Sequence, residues 1–262
     1  MSISNNGEVI LVGGGCGDPE LLTLKAVKAL NQADAVVYDA LVNPEVLGHA
    51  PDKALRLFVG KRKGCQVLPQ QQINELLVQL AQQGLKVVRL KGGDPLIFGR
   101  GGEEISALAA AGIPCRVVPG ITAALGAAAS NRMPLTHRAY AQAVTFVSAH
   151  RQHGQLEVDW ALLSHPGQSV VIYMGLSVVA ELVSGLMARG MAADHPLAII
   201  AGASRPDEQR IDATLGTIVS RLAGMDISAP ALVVMGECVR FAAALDAGHQ
   251  PAVVARGTAY AA

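Results

Sequence analysis

The chain has 262 residues, of which 51% are hydrophobic and 16% charged, so it can bury a large core in one large or two smaller α/β domains. Its 21 basic and 21 acidic side chains cancel, and only 3% of its residues are aromatic. No overall field draws it to nucleic acid or to an anionic membrane, and it lacks the aromatic platforms that bind single strands. An acidic ligand must therefore be held by particular side chains.

The cysteines and the N-terminal residues bear on the cellular location of the protein and on metal binding. Cys16, Cys65, Cys115 and Cys238 lie far apart with no C-x-x-C pair, which argues against a zinc or redox dithiol site. The first residues, "MSISNNGEV", contain no basic segment followed by an apolar one, and the longest apolar stretch, 170–180, is too short to cross a membrane. We expect a cytoplasmic protein with thiols, no membrane span and no metal site.

The first half of the chain alternates apolar runs with helical periodicity. Runs rich in valine and isoleucine predict strands at 9–12, 35–38, 56–59, 86–90 and 116–118. Apolar residues at three- and four-residue steps predict helices over 20–30 and 70–82. This βαβ order predicts a mainly parallel sheet with helices on both faces, which binds ligands beyond the carboxyl ends of its strands.

The pattern changes after "NRMPLTHRAYAQ". Strands are predicted at 144–147, 169–173, 197–200, 210–214 and 231–235, several with exposed-looking alternation. This favours a second α/β domain with a mixed sheet over one continuous sheet. We place the boundary near Pro134, which gives domains 1–134 and 135–262.

A glycine-rich turn, "VGGGCGDPELL", follows the first predicted strand. From Gly13 and Gly15, the third glycine of a G-x-G-x-x-G dinucleotide motif would fall on Asp18, and no Gly-Lys-Ser/Thr follows as in a P-loop. Neither phosphate-binding motif is therefore present. Taken alone, the turn is explained as a tight strand-to-helix connection with Asp18 near the helix start.

Two later strands end in similar turns, "KGGDPLIFGRGGEE" and "VVPGITAALGAAAS". Parallel strands bring all three turns to one edge of the sheet, where small residues let a ligand approach the backbone. Asp94, in the second turn, is suited equally to binding a ribose hydroxyl and to capping its own turn. The three turns together predict a ligand site at that edge.

Seven segments together resemble the tetrapyrrole C-methyltransferases: "VGGGCGDPELLTLKA", "VVYDALV", "VGKRKG", "VVRLKGGDPLIFGRGGEE", "VVPGITAALGAA", "MPLTHR" and "VIYMGL". The match runs in order and at matching spacing from about residue 7 to residue 236. The resemblance implies that family's two-domain fold: a mainly parallel N-terminal sheet with helices on both faces, a mixed-sheet C-terminal α/β domain and an active site in the cleft. It also implies S-adenosylmethionine (SAM) as methyl donor, S-adenosylhomocysteine as its product, and a homodimer.

The motifs "KGGDPLIFGRGGEE" and "PLTHR" favour the branch of the family that methylates uroporphyrinogen III at two pyrrole carbons. That reaction gives precorrin-2 by way of precorrin-1, for sirohaem, cobalamin or haem d1. A sulfonium methyl needs in-line placement rather than a metal or a covalent nucleophile. Two alternatives stay open: a sister enzyme acting on a later precorrin, and a non-catalytic tetrapyrrole-binding protein. Asp39, Lys61, Arg100 and Arg138 together argue against the second.

The resemblance assigns SAM contacts to Cys16, Gly92, Gly93, Asp94, Ile97, Thr122, Ala123, Met174, Ala203 and Ala231. The last three come from the second domain, so SAM is expected to lie between the domains. On local sequence alone, Met174 is better explained as a core methionine that follows a strand.

The chain departs from the family pattern at three places. Cys16 stands where the family usually has proline, which leaves the backbone φ angle freer and puts the contact at that position in doubt. Leu96 replaces a frequent phenylalanine. The segment "AGASRP" replaces a pattern that carries an acidic residue and Gly-Thr. These changes bear on affinity or substrate choice, and neither of the last two removes a catalytic group.

The substrate in this branch is a polycarboxylate, and the resemblance places Arg100 and Arg138 beside it, with Glu103 near Arg100. His150 ends the predicted strand "VTFVSAH" and is a further candidate substrate contact. A planar guanidinium gives a carboxylate two parallel bonds. By themselves, Arg100 and Arg138 are equally well explained as solvated charges at a helix start and in a linker. His150 is explained nearly as well as a structural histidine.

After methyl attack the macrocycle must lose a proton, so a base is needed. The resemblance gives Asp39 as proton acceptor and Lys61 as donor, with Arg100 as an alternative acceptor. Arginine is a poor base because its guanidinium stays protonated at any ordinary pH. An aspartate at a strand end, however, is also a common structural cap. Asp39 and Arg100 therefore rank close together.

Overall fold

The structure is a computed structural model, and it describes residues 7–60, 68–149, 151–152, 155–227 and 230–250. The chain forms two compact units, Met1–Ala123 and Ala124–Ala262. Each unit is built around its own five-stranded sheet.

The first unit is a parallel α/β sheet. Its strands are β1 (Glu8–Gly13), β2 (Ala35–Tyr38), β3 (Leu55–Phe58), β4 (Lys86–Lys91) and β5 (Cys115–Val118), and its α-helices are α1 (Leu24–Asn31), α2 (Gln70–Gln82) and α3 (Gly101–Ala110). All five strands run parallel in the order β3-β2-β4-β1-β5. The five predicted strands and the helix over 70–82 are confirmed.

The helix predicted over 20–30 is wrong in its first four residues. A 3₁₀ turn, Pro19–Leu21, comes first, and the α-helix begins only at Leu24. Two separate caps explain the break. The Asp18 carboxylate accepts the Glu20 amide at 2.8 Å, and the Thr23 hydroxyl accepts the Ala26 amide at 3.1 Å. Each cap starts a helix of its own, as side-chain acceptors do.

Helices cover both faces of the first sheet. On β1, Ile10 and Val12 pack in one core with residues of α1, whereas Val9 and Leu11 pack in another core with residues of α2 and α3. Alternate residues of a strand point to opposite faces. The predicted sheet with helices on both faces is therefore confirmed.

The second unit has a mixed sheet, as predicted. Its strands are β6 (Ala143–Ser148), β7 (Arg151–Gln152), β8 (Gln155–Leu156), β9 (Gln168–Tyr173), β10 (Pro196–Ala201), β11 (Gln209–Thr214) and β12 (Ala231–Met235), and its α-helices are α4 (Ala123–Ser130), α5 (Trp160–Ser164), α6 (Val179–Met187), α7 (Ile218–Leu222) and α8 (Glu237–Asp246). The large sheet has the order β11-β10-β12-β9-β6, and only β6 and β9 pair in parallel. Strands β7 and β8 form a separate hairpin.

The first compact unit ends at Ala123 and the second begins at Ala124, while the domain boundary near Pro134 stays a prediction. The Tyr173 hydroxyl accepts the Ala124 amide at the start of α4 at 3.1 Å. At the other end of α4, Ser130 Oγ lies 2.8 Å and 2.9 Å from the two carboxylate oxygens of Glu208, and Asn131 Nδ2 donates to Glu208 Oε1 at 2.8 Å. These hydrogen bonds connect α4 to the rest of the second unit. The change in sequence pattern near Pro134 comes after α4 and before the first strand of that unit's sheet.

None of the helices in the described ranges is long and apolar enough to cross a membrane.

Candidate active site

Three turns meet at the carboxyl edge of the first sheet. The turns after β1 and β4 exchange backbone hydrogen bonds, from the Gly93 amide to the Gly15 carbonyl at 2.6 Å and from the Gly15 amide to the Gly93 carbonyl at 3.3 Å. The turn after β5 joins them where the Gly120 amide donates to Asp94 Oδ2 at 3.1 Å. The convergence expected from the parallel strands is therefore present.

Glycine is required where these turns touch. A Cβ on Gly13 would lie 2.4 Å from the Gly120 nitrogen, and a Cβ on Gly120 would lie 2.3 Å from the Gly93 oxygen. Side chains do not tolerate such distances, so the backbones approach each other only because both residues are glycine. Gly93 differs: its φ is +66° and the nearest atom to its added Cβ is 3.8 Å away, on Thr122.

Asp94 caps its own turn and also holds the next one. Its Oδ1 accepts the Leu96 amide at 2.8 Å, while Oδ2 accepts the Gly120 amide. The capping interpretation of Asp94 is therefore confirmed. An ionised carboxylate has about four acceptor positions, so both oxygens keep the capacity to accept a ligand hydroxyl.

The other SAM contacts predicted in this unit lie around these turns. Thr122 and Ala123 come beside Gly93, where an added Cβ would lie 3.8 Å from Thr122 Cα and 4.0 Å from the Ala123 nitrogen. Cys16 directly follows the bridged Gly15 and is half-buried. Ile97 lies on the exposed segment that leads into α3.

The SAM contacts predicted in the second unit share one edge of its sheet. Met174 directly follows β9, Ala203 follows β10 by two residues, and Ala231 is the first residue of β12. Strand β12 runs antiparallel to both neighbours, and Ala201 pairs with Ala231. Met174 is 54% exposed, so its interpretation as a core methionine is wrong.

Left-handed backbone marks the same turns independently. Among the described residues, positive φ occurs at five non-glycine positions: Phe98, Arg100, Arg132, Met174 and Ser204. Two of them precede α3, and Met174 and Ser204 lie at the carboxyl ends of β9 and β10. Such conformations cost about 1–3 kcal/mol each and concentrate at functional sites. Strain is thus stored beside the predicted SAM contacts in both units.

A buried cluster of charged side chains below the carboxyl edge of the first sheet was not predicted from the sequence. Three donors converge on Glu104 Oε1: Arg89 Nε at 3.1 Å, Lys91 Nζ at 3.0 Å and Gln70 Nε2 at 3.1 Å. Arg89, Lys91 and Glu104 are 3%, 4% and 0% exposed. Burial, and next the charge of Arg89, lower the pKa of Lys91. The sequence feature that could have predicted this cluster is the pair of cations, Arg89 and Lys91, two residues apart in the buried strand "KVVRLK".

Asp39, the predicted proton acceptor, lies next to this cluster. It follows β2, and its Oδ1 accepts the Leu41 amide at 3.1 Å. Its Oδ2 lies 3.6 Å from Arg89 Nη2, an ion pair rather than a hydrogen bond. The Asp39 side chain is 24% exposed, so it is both anchored and open to a ligand.

Arg100 forms a two-bond ion pair with Glu103. Its Nε and Nη2 donate to the two Glu103 oxygens at 2.8 Å and 2.7 Å, and both side chains are more than half exposed. The hydrogen bond to Glu103 raises the pKa of Arg100, and the same bond lowers the pKa of Glu103. A guanidinium held still more firmly in its protonated form is not a proton acceptor, which favours Asp39 for that role.

Arg138 lies in the second unit on an exposed turn. The turn is closed by backbone hydrogen bonds between His137 and Ala141, at 2.8 Å and 2.9 Å. The predictions for Lys61 and His150 fall outside the described residues. Nowhere in the described ranges do three His, Cys, Asp or Glu side chains form a group able to hold a metal ion.

The sequence model of the Tetrapyrrole (Corrin/Porphyrin) Methylases matches residues 8–219, most of the chain. The chain belongs to this tetrapyrrole methylase family. Membership confirms the resemblance carried by the glycine turns and by the "VIYMGL" segment.

Individual members of the family are also similar to this tetrapyrrole methylase. It is 51% identical over 237 residues to the uroporphyrinogen-III C-methyltransferase of Paracoccus denitrificans, covering 90% of this chain and 83% of that protein. It is 50% identical over 236 residues to the siroheme synthase of Chromobacterium violaceum, covering 90% of this chain but 50% of that protein. The chain therefore spans about half the length of the siroheme synthases that it matches.

The crystal structure of uroporphyrin-III C-methyl transferase from Thermus thermophilus, complexed with S-adenyl homocysteine, has the same fold. The TM-score is 0.77 at 38% sequence identity, with 89% of this chain and 99% of that chain covered. The expected fold of this tetrapyrrole methylase is confirmed.

Proposed function

We propose that the protein transfers methyl groups from SAM to two pyrrole carbons of uroporphyrinogen III, giving precorrin-2 by way of precorrin-1. The observation that carries this proposal is the 51% identity to the Paracoccus denitrificans uroporphyrinogen-III C-methyltransferase, which extends over 83% of that protein. S-adenosylhomocysteine is the second product, and the Thermus thermophilus relative was crystallised with that molecule.

The residues at the carboxyl edge of the first sheet fit SAM as a ligand. SAM has no phosphate, so turns without a dinucleotide or P-loop motif are suited to it. The open side of Gly93 admits a ligand to the backbone, and Asp94 offers acceptors for a ribose hydroxyl. SAM supplies a methyl group already activated by its sulfonium charge. We assign its contacts to Cys16, Gly92, Gly93, Asp94, Ile97, Thr122, Ala123, Met174, Ala203 and Ala231.

Arginines bind the carboxylates of the substrate in this proposal. Arg100 uses Nε and Nη2 for Glu103, which leaves Nη1 for a substrate carboxylate. Glu103 thereby orients Arg100, and its exposed position lets the pair rearrange around the ligand. Arg138 presents a second guanidinium from an exposed turn, and His150 completes the proposed substrate contacts.

Asp39 accepts the proton that the macrocycle must lose. Methylation of a pyrrole carbon would leave that ring as an iminium. Breaking an adjacent C–H bond then supplies the pair for a new C=C bond, the C=N π pair returns to nitrogen, and the proton passes to a base. Asp39 is partly exposed and anchored on its other side, as this role requires. We assign Lys61 as proton donor from the resemblance.

Incubation with SAM labelled in its methyl group tests the proposal. We expect label in the tetrapyrrole when uroporphyrinogen III is supplied, and S-adenosylhomocysteine in equal amount. Label transferred only to a later precorrin would identify a sister enzyme. Tetrapyrrole binding that left SAM intact would identify a non-catalytic binding protein.

Two further predictions of the resemblance belong to this proposal. We expect a homodimer, which sedimentation of the purified protein tests. We also expect a cytoplasmic location and a product that feeds sirohaem, with cobalamin or haem d1 as other destinations. Fractionation of the source cells and pathway intermediates in a deletion strain test these expectations.

A further inference from the structure

The direction of the Arg89 guanidinium is set by buried acceptors on three elements. Its Nε donates to Glu104 Oε1 on α3 at 3.1 Å, and its Nη1 donates to the carbonyls of Val37 on β2 at 3.3 Å and Leu90 on β4 at 3.2 Å. Arg89 is 3% exposed, so water does not compete for these bonds. The remaining nitrogen, Nη2, faces Asp39 Oδ2 at 3.6 Å.

Glu104 is the anion at the centre of this arrangement. It is 0% exposed, and its Oε1 receives Arg89, Lys91 and Gln70 together. A charge that is buried without a partner is strongly unfavourable, so two buried cations on one strand face require such a carboxylate. No hydrogen-bond partner of Glu104 Oε2 is found among the described residues, so the three donors that hold this carboxylate all act through Oε1.

We propose that Glu104 and Arg89 are positioning residues for proton removal: Glu104 fixes the Arg89 guanidinium, and Arg89 fixes the orientation of the Asp39 carboxylate. This inference rests on the proposed function, in which Asp39 accepts the proton. The C–H pair goes to the new C=C bond, the C=N π pair of the iminium returns to nitrogen, and the proton goes to Asp39, while Arg89 stays protonated and exchanges nothing. A proton acceptor works only within hydrogen-bond reach, and a displacement of about 1 Å costs about 100-fold in rate.

Four variants separate positioning from folding. Glu104→Gln keeps the shape of Glu104 but removes its charge. Arg89→Met removes the contact to Asp39. Arg89→Lys keeps the positive charge but loses the planar guanidinium with its several donors. Leu108→Ala is the matched control, because Leu108 lies one turn further along α3, is equally buried and contacts the apolar core instead of the charges.

The readouts are kcat, the KM for SAM, and the isotope effect on kcat with uroporphyrinogen III deuterated at its bridging carbons. We expect Glu104→Gln and Arg89→Met to lower kcat by about 10- to 100-fold with little change in the KM for SAM, and Arg89→Lys to recover part of the loss. The isotope effect should rise in both damaging variants, because proton removal becomes slower. Leu108→Ala should lower the thermal midpoint without raising the isotope effect.

Two results would overturn the inference. One is that folded Glu104→Gln and folded Arg89→Lys both have the kcat and the isotope effect of the wild type. These two variants are sufficient for the test even if Arg89→Met does not fold. The other is an isotope effect that rises equally in Leu108→Ala. Failure of the wild-type protein to methylate uroporphyrinogen III would instead overturn the proposed function.

Discussion

The Gly120 amide donates a hydrogen bond of 3.1 Å to Asp94 Oδ2, and this bond joins the turn after β5 to the turn after β4. The second oxygen of the same carboxylate holds the Leu96 amide. One side chain therefore sets the spacing of two turns at which we place SAM.

Replacing Asp94 by Asn should weaken both the turns and SAM binding. An amide has one acceptor oxygen, so one of the two backbone amides loses its partner, at a cost of about 1–3 kcal/mol. We expect SAM affinity to fall about tenfold or more, measured by calorimetric titration.

Asp34→Asn is the control for that variant. The Asp34 carboxylate accepts the Lys86 amide at 2.9 Å, at the opposite end of the same sheet. It should affect stability but leave SAM affinity unchanged. Equal losses of SAM affinity in the two variants would contradict a local role for Asp94.

Gly120→Ala should disrupt the site directly. The new methyl group would lie 2.3 Å from the Gly93 oxygen, so the turns must move apart. Such overpacking costs about 1–3 kcal/mol, and we expect SAM binding to be lost as well.

Gly48→Ala is the matched control, since nothing lies within 4 Å of the added atom. It should keep SAM affinity and change the free energy of unfolding by less than about 1 kcal/mol. Unchanged SAM binding in Gly120→Ala, judged by calorimetry of folded material, would show that the turn spacing does not matter.

Arg100→Lys should raise the KM for uroporphyrinogen III by about 10- to 100-fold while changing the KM for SAM little. Lysine lacks the planar fork that holds Glu103 and a substrate carboxylate together. Initial rates at varied concentrations of each substrate measure the two constants.

Arg116→Lys provides the comparison, because Arg116 forms a similar two-bond pair with Glu8, at 3.0 Å for both bonds, at the other end of the sheet. Its KM values should match the wild type. A normal KM for uroporphyrinogen III in Arg100→Lys would remove Arg100 from the substrate site.

The second unit should lose stability in mild acid through His195. Burial lowers the pKa of His195 below its ordinary value of 6.5; the charges of Glu237 and Asp194 oppose this effect, whereas the charge of Arg240 adds to it. The folded form thus favours the neutral ring, so this contribution is complete above about pH 6.5 and falls as the unfolded chain takes up the proton at lower pH.

His195→Gln should reduce that loss. Urea midpoints at pH 7.5 and pH 5.5, about one unit on either side of the ordinary value, compare the two proteins. The same fall in midpoint in both would show that other groups cause the acid sensitivity.

Much of the fold was predictable because buried parallel strands read as continuous valine and isoleucine runs. The helix over 20–30 was predicted in part only, since apolar spacing does not reveal that Asp18 and Thr23 each start a separate helix. The sequence does not show that α4 is bonded to the second unit, because α4 is rich in alanine and carries little pattern of its own. Its bonds to Glu208 come from a residue almost 80 positions away.

The meeting of the turns was predictable where small residues follow parallel strands, as at Gly93 and Gly120. The charge cluster was not, because Arg89 and Glu104 reveal their pairing only when α3 packs on β4. A charged residue in a buried strand shows that a partner is needed, but it does not show which residue supplies it.

The most direct test of the central claim is to identify the product formed from uroporphyrinogen III and SAM that carries a carbon-13 methyl group. The account predicts a tetrapyrrole with two labelled methyl groups, both bonded to ring carbons in the nuclear magnetic resonance spectrum. Recovery of unlabelled uroporphyrinogen III from folded, SAM-supplied protein would contradict it.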